Sequence, residues 1–296
     1  MMYELVWVGE NTYYIEAPAK VGLYDLGNGK ACLIDSGNDK DAAKKILRIL
    51  EEKDLKLDRI LCTHSHADHV GGNHYLQEKT GCRIYAAGAD RVIAENPLLE
   101  PTMLFGACPP KALRNKFLMA QESVVELLTE EVLPPGITML RLDGHAMAMT
   151  AFHTDDDIWF VADALTGEEV LRKHPVSYLY DVEAYLDSLD TLCQMQGRLF
   201  IPSHADPVED IAPLAELNRE KALELMELIV TLCRVGMDFD GLLGKVFDHY
   251  KISLDFTQYA LSGSTIRSYL GYLLDQGRLR ADVSDNRLFW KSIPNA

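Results

Sequence analysis

The chain has 296 residues, 48% of them hydrophobic and 25% charged, and its 29 Lys+Arg against 45 Asp+Glu give a formal net charge of −16. This length buries a large core, and at about 150 residues per domain it points to one catalytic unit with a smaller appendage. The acidic surface presents a repulsive average field to polyanions, which makes nucleic acid a poor default partner.

No run of roughly 18 apolar residues is present, and Met1-Met2-Tyr3-Glu4-Leu5 does not start a basic, then apolar, leader. Six cysteines lie scattered without C-x-x-C spacing. That pattern reads as reduced structural thiols, so the expectation is a cytoplasmic protein with no membrane partner.

Four β-rich runs open the chain: Leu5 to Val8, Thr12 to Ile15, Val21 to Tyr24 and Ala31 to Ile34, with Gly27-Asn28-Gly29 as a hairpin turn between the last two. After Asp35-Ser36-Gly37 the period changes. Ala42, Ile46, Ile49 and Leu50 recur at helical spacing, and Asp39 or Asp41 is placed to cap that helix. Arg59 to Cys62 is the next strand, a helix runs from about Gly72 to Thr80-Gly81, and Cys82 to Ala86 is a further strand.

An insertion over about 96–135 breaks this pattern. Pro97, Pro101, Pro109 and Pro110 exclude long regular elements in its first half, while Leu113, Phe117, Leu118, Val124, Val125 and Leu128 predict helices in its second. Strands return at Ile137 to Leu142, Met149 to His153 and Ile158 to Ala162. A helix over Val182 to Met195 and a strand over Arg198 to Ile201 follow. Past Pro213 the β signal largely stops: a long amphipathic helix starts at Leu214, shorter helical segments lie near Gly241 to Tyr250 and Ser264 to Leu274, and a hairpin turns at Ser284-Asp285-Asn286. Helix, helix, helix, hairpin is the order of a winged-helix module, so the expected division is 1–212 and 213–296.

The most informative stretch is Thr63-His64-Ser65-His66-Ala67-Asp68-His69-Val70-Gly71-Gly72, directly after a buried strand. Residues two apart in an extended segment point the same way, so His64 and His66 can present imidazoles to one ion. Asp68 and His69 follow once the chain starts to turn, and face a neighbouring point. One such cluster cannot close two coordination spheres, and His145, Asp163 and His204 supply further ligands from strand ends.

The order H-x-H-x-D-H, then G-H, then a strand ending in Asp, then S-H resembles the metallo-β-lactamase superfamily and its glyoxalase II-like hydrolases, over roughly residues 1–212. The resemblance implies an α/β (α+β) fold, a four-layer αββα sandwich, with a small, mainly helical, winged-helix-like C-terminal domain. It further implies two divalent ions, zinc with iron or manganese as alternatives. His64, His66 and His145 would hold the first, Asp68, His69 and His204 the second, and Asp163 would bridge them. A bridging water then loses a proton near neutral pH, and Asp68 is the catalytic group that orients it and returns the proton to the leaving group. Asp35-Ser36-Gly37 matches the family's strand-end Asp-[Thr/Ser]-Gly, with Asp35 and Ser36 shaping the site from behind the ligands. Gly144-His145-Ala146-Met147-Ala148-Met149-Thr150 departs from the G-H-T-P-G of many members.

The insertion lies where such families vary, and a long irregular segment in a compact domain is usually a lid or binding loop. Its apolar Met103, Leu104, Phe105 and Phe117 suit an apolar acyl group or a homodimer contact, and Arg114 and Lys116 are its cations. The loop after Asp163 adds Arg172, Lys173, His174, Tyr178 and Tyr180, either tyrosine being able to donate to an oxyanion. The expected function is hydrolysis of a small-molecule ester, thioester or lactone. The alternatives are a phosphodiesterase or ribonuclease of the same superfamily, and a metal-containing nucleic-acid-binding regulator. Residues 236–296 balance seven Lys and Arg against seven Asp, and the would-be recognition helix Ser264 to Gly271 carries one cation, whereas groove binding needs several phosphate contacts.

Overall fold

The computed structural model describes residues 3–294; Met1 and Met2, at the start of the segment read for a leader, lie outside the described residues, as do 295 and 296. Strands β1 (Glu4–Trp7), β2 (Thr12–Glu16), β3 (Val21–Gly27) and β4 (Lys30–Ile34) form an antiparallel meander. Asn28 and Gly29 make the β3–β4 turn with φ of 54° and 72°, the left-handed pair that a two-residue hairpin requires. Helix α1 (Lys40–Glu52) follows, capped by Asp39, whose carboxylate accepts from the amides of Asp41 and Ala42 at 2.9 and 3.0 Å. Its Ala42, Ala43, Ile46 and Leu50 are buried, one face of a 3.6-residue period.

Strand β5 (Lys56–Leu61), the single turn α2 (Ala67–Val70), α3 (Asn73–Thr80), β6 (Arg83–Ala86) and α4 (Gly88–Glu95) extend the first layer, with β5 and β6 parallel to β4. The insertion contains α5 (Leu99–Phe105) and β7 (Glu126–Leu127), which pairs in parallel with β6 and completes a seven-stranded sheet ordered β1 to β7. Its first half keeps to short elements, as expected: Pro101 falls in the first turn of α5, where a missing amide costs nothing. The helices expected in its second half do not form. Leu113 lies in one 3₁₀ turn, and Val124 to Leu128 is extended, with Val124 and Leu127 exposed and Val125 and Leu128 buried. Only Glu126 and Leu127 enter the ladder, and the open side of β6 supplies the partner that local periodicity could not reveal.

Strands β8 (Ile137–Arg141), β9 (Thr150–Thr154), β10 (Ile158–Ala162) and β11 (Leu199–Pro202) make the second sheet in the order β11-β10-β9-β8. Between β10 and β11 come α6 (Glu168–Lys173) and α7 (Val182–Gln194). Three cores explain the layering. Ala31, Leu33, Ile60 and Ile84 pack against α1 and α3 on one face of the first sheet. On its other face Cys32, Ile34, Leu61 and Tyr85 meet Phe152, Ile158, Phe160 and Ile201 of the second sheet. This alternation within β4 is the period of two that buries both faces of a strand.

The third core joins Val161 and Phe200 to Tyr185 and Leu189 of α7 and runs on into α8 (Ala212–Leu232), α9 (Phe239–Tyr250) and α10 (Phe256–Asp275). A hairpin of β12 (Leu279–Ser284) and β13 (Arg287–Ser292) ends the described chain, so the order helix, helix, helix, hairpin is as expected. Helix α10 begins eight residues before the expected Ser264, because Asp255 caps it by accepting from the Gln258 amide at 2.8 Å. No helix among the described residues is long and apolar enough to cross a membrane.

Candidate metal centre

Seven side chains converge at one edge of the two sheets, each delivered by the end of a strand. The segment after β5 carries His64 and His66, and α2 carries Asp68 and His69. Gly71 and Gly72 permit this by close approach: a Cβ on either would stand 2.3 or 2.2 Å from the carbonyl oxygens of Asn38 and Ser36. Their backbone is ordinary right-handed helix, so it is close approach and not a left-handed φ that requires glycine there. Gly144 does need its freedom. It holds φ of 117° against the Tyr185 backbone, and its carbonyl accepts from the amides of Tyr180 and Asp181 at 2.9 Å each, which fixes the place of His145. Asp163 follows a register shift in β10 and an Ala162 with φ of 51°, a kink that swings the carboxylate out of the ladder.

Two donor sets result. His66 Nδ1 lies 3.0 Å from His64 Nε2 and 2.9 Å from His145 Nε2. His204 Nε2 lies 3.1 Å from Asp68 Oδ2 and 3.3 Å from Asp163 Oδ2, while His69 Nε2 is 3.3 Å from Asp163 Oδ1. Asp163 also approaches the first set, 3.6 Å from His145 Nε2. Donors held tetrahedrally about 2.0–2.1 Å from one zinc ion stand about 3.3 Å apart, so both sets have the spacing a metal requires.

The hydrogen bonds behind the donors fix which nitrogen faces inward. His145 Nδ1 donates to the Tyr178 carbonyl at 3.1 Å, His204 Nδ1 to the Pro18 carbonyl at 2.9 Å, and His69 Nδ1 to Asp35 Oδ2 at 2.8 Å. Thr63 Oγ1 donates to Asp35 Oδ2 at 2.8 Å and so accepts from His64 Nδ1 at 3.0 Å. These oxygens accept, so four imidazoles carry a proton on Nδ1 and face the centre with Nε2, the nitrogen that would ligate a metal ion once it is unprotonated. His69 Nε2 and Asp163 Oδ1 are buried with no hydrogen-bond partner in the chain. Buried polar atoms need a partner, and a cation between them supplies it.

Electrostatics separate the two sets. Burial, and after it the neighbouring imidazoles, lower all three histidines of the first set, His66 and His145 to about 4. In the second set Asp163 raises His204 to about 10. Burial opposes ionisation of Asp68 and Asp163, yet the facing imidazoles hold both below the usual carboxylate range. The protein alone thus balances its carboxylates with imidazole protons, a charge that divalent ions can replace.

Asp35 and Ser36 sit behind the ligands as expected. Asp35 takes the left-handed φ of 65° and also accepts from the Thr63 amide at 2.7 Å, and Ser36 Oγ donates to the His69 carbonyl at 3.0 Å. Asp90 was not anticipated, since no motif marks it. Its buried carboxylate accepts from the Ser65 amide at 2.8 Å, the Ser65 hydroxyl at 2.6 Å and the Ala148 amide at 2.6 Å. It thereby ties the loop of His64 and His66 to that of His145, work that the departed G-H-T-P-G turn does not do here.

A cavity of about 570 Å³ opens over the donors. The insertion contributes Glu100, Leu104, Phe117 and Leu118, the loop after Asp163 contributes Lys173, His174 and Tyr178, and α10 contributes Gln258 and Ser262. Of the residues expected to touch substrate, Phe117, His174 and Tyr178 therefore line it. Phe105 packs on Phe256 with ring centroids 6.2 Å apart, and Tyr180 lines a separate small pocket beside His66. Arg114 is taken up by the Pro109 carbonyl and Lys116 by Asp39, at 2.9 Å each. The share of α10 is not legible in the sequence because Gln258 and Ser262 precede Ser264, where the helical spacing predicts that the helix begins.

The family model of the metallo-beta-lactamase superfamily matches residues 7–204, a span that contains all seven converging side chains. A hydroxyacylglutathione hydrolase of Cereibacter sphaeroides is 29% identical over 144 residues, 48% of this chain and 46% of that one. The chain spans less than half the length of that relative, and 28% of a protein of the same name from Pelagibacter ubique. A beta-lactamase domain protein from Burkholderia ambifaria has a similar fold at TM-score 0.73 and 18% identity, covering 98% of this chain and 94% of that one. A metallo-beta-lactamase family protein from Thermus thermophilus matches at TM-score 0.72 and 18% identity, over 98% of each chain. Both likenesses take in the C-terminal helices as well as the two sheets.

Proposed function

The chain belongs to the metallo-beta-lactamase superfamily, and from that premise we propose that it is a dinuclear metal-dependent hydrolase of small acyl esters, above all thioesters. One observation carries the reading: two donor sets, with Asp163 in the second and 3.6 Å from His145 of the first, meet beside a cavity of about 570 Å³. A volume of that order accommodates a small molecule. The hydroxyacylglutathione hydrolases among the relatives are named for acyl thioesters, which sets the preference within the ester class.

His64, His66 and His145 would hold one ion, Asp68, His69 and His204 the other, with Asp163 between them. Five imidazoles and two carboxylates suit zinc, with iron or manganese as alternatives. Bound there, two divalent ions supply Lewis acidity to a carbonyl oxygen and bring the pKa of a water down to about 7. The chain does the rest. Asp68, with its side chain 42% exposed towards the cavity, accepts the proton of the attacking water and returns it to the leaving group. Burial keeps the Tyr178 phenol protonated, so it donates to substrate oxygen from the cavity wall. Its carbonyl meanwhile holds His145.

The six free cysteines, four of them buried, accord with a reducing, cytoplasmic setting. The single cation of the would-be recognition helix, Arg267, lies 3.7 Å over the Phe239 ring, which favours the hydrolase over a nucleic-acid regulator. The test uses metal-free protein reloaded with zinc, iron or manganese and given matched ester, thioester, lactone and phosphodiester substrates. Thioester and ester turnover that returns with the second equivalent of metal is expected. Phosphodiester turnover alone, or none with two ions bound, overturns the proposal.

A further inference from the structure

Beside the main cavity lies a side pocket of about 20 Å³, lined among others by His66, Glu100, Asp90, Met103, Tyr178 and Tyr180. A space of about 10–15 Å³ admits one water-sized group, so this pocket takes one and excludes a larger head. Asp90 is saturated by its three donors. Glu100 differs: it lines both the side pocket and the main cavity, and it makes no hydrogen bond or ion pair among the described residues. Two tyrosines and two methionines, with Ser65, Ile93 and Ala146, complete the lining. An acid with aromatic faces is the chemistry that recognises a cation, and a water-sized cation that can end an acyl chain is a primary ammonium.

We propose that Glu100 and the rings of Tyr178 and Tyr180 bind the primary ammonium group of an amine-bearing acyl substrate, a few bonds from the scissile carbonyl. Burial, with the nearby Asp68 and Asp90, pushes the Glu100 carboxyl well above the usual carboxylate range, and a cation beside it favours the charged form. Leu104 and Phe117 then line the neighbouring space available to the rest of the acyl group. The inference deepens the hydrolase reading but needs only binding to be tested.

The experiment uses full-length, metal-loaded protein and two nearly isosteric N-acetylcysteamine thioesters, 3-aminopropanoyl and butanoyl, which differ by NH₃⁺ against CH₃. The expected ratio of kcat/KM, amine over methyl, is about 10 or more in the wild type, as for a charge-assisted hydrogen bond, and falls to about 1 in Glu100→Gln. A ratio near 1 in the wild type, or one unchanged by the substitution, overturns the proposal. Partial unfolding lowers both rates and leaves the ratio intact. If neither thioester is cleaved, the hydrolase reading fails, and binding of 3-aminopropanamide against butanamide, measured by calorimetry, decides the ammonium site alone. A tenfold preference for the amine that Glu100→Gln abolishes supports the site, and equal binding in the wild type refutes it.

Discussion

Removing the Asp90 carboxylate tests whether the two ligand-bearing loops depend on one buried tie. In Asp90→Ala the amides of Ser65 and Ala148 and the Ser65 hydroxyl lose their acceptor at once, in a region where Ser65 and Asp90 are almost wholly buried. Each orphaned buried donor costs about 1–3 kcal/mol, offset by relief of burying a carboxylate, so a net loss of about 2–5 kcal/mol is expected. At roughly 2–4 °C per kcal/mol the melting temperature should fall by about 4–20 °C. The loss is also directional. His66 and His145 flank the broken tie, so the set of His64, His66 and His145 should weaken more than that of Asp68, His69 and His204. The assay pairs thermal unfolding of the metal-free protein with a calorimetric metal titration. A melting temperature within about 2 °C of wild type, or equal weakening of both metal equivalents, would refute the reasoning.

Asp163→Ala should reduce bound metal below two ions per chain and abolish hydrolysis, checked by elemental analysis beside turnover, because both donor sets lose the same carboxylate. Phe117→Ala should change the selectivity between large and small acyl substrates by about tenfold, the low end for an apolar wall contact, since its ring is 72% exposed at the cavity; Phe105→Ala should change it little. Asp156 accepts from Thr12 Oγ1 and the amides of Glu10 and Asn11 at 2.6, 2.8 and 2.9 Å; although burial opposes ionisation, these bonds hold its carboxyl below the usual range. Asp156→Ala should therefore destabilise by about 1–3 kcal/mol at neutral pH. A carboxyl depressed on folding stabilises above its unfolded pKa of about 3.9, so the difference from wild type in denaturant melts should shrink as pH falls below about 4.

The parts of this fold that were legible in the sequence are those where local pattern and tertiary demand agree. His64, His66, Asp68 and His69 could be placed because a strand, a turn and a helix follow within nine residues, and the strand ends of His145, Asp163 and His204 were marked by apolar runs. Val124 to Leu128 was misread as helical because its ladder partner, β6, lies some forty residues away. Asp90 and Glu100 gave no signal for a related reason. An acidic residue at a helix start reads as solvated, and only the distant loops and rings that enclose it reveal its chemistry. The entry of α10 into the cavity wall was hidden in the same way, since Gln258 and Ser262 lie before the apolar periodicity that marks the helix from Ser264.

The central claim is that one chain holds two ions in adjoining sets that share Asp163. A crystal of metal-loaded protein, with diffraction recorded on both sides of the bound metal's absorption edge, tests it most directly. The account requires two anomalous peaks per chain, one among His64, His66 and His145 and the other among Asp68, His69 and His204, both within coordination distance of Asp163. A single peak at saturating metal, or a second peak anywhere outside these seven side chains, would contradict it.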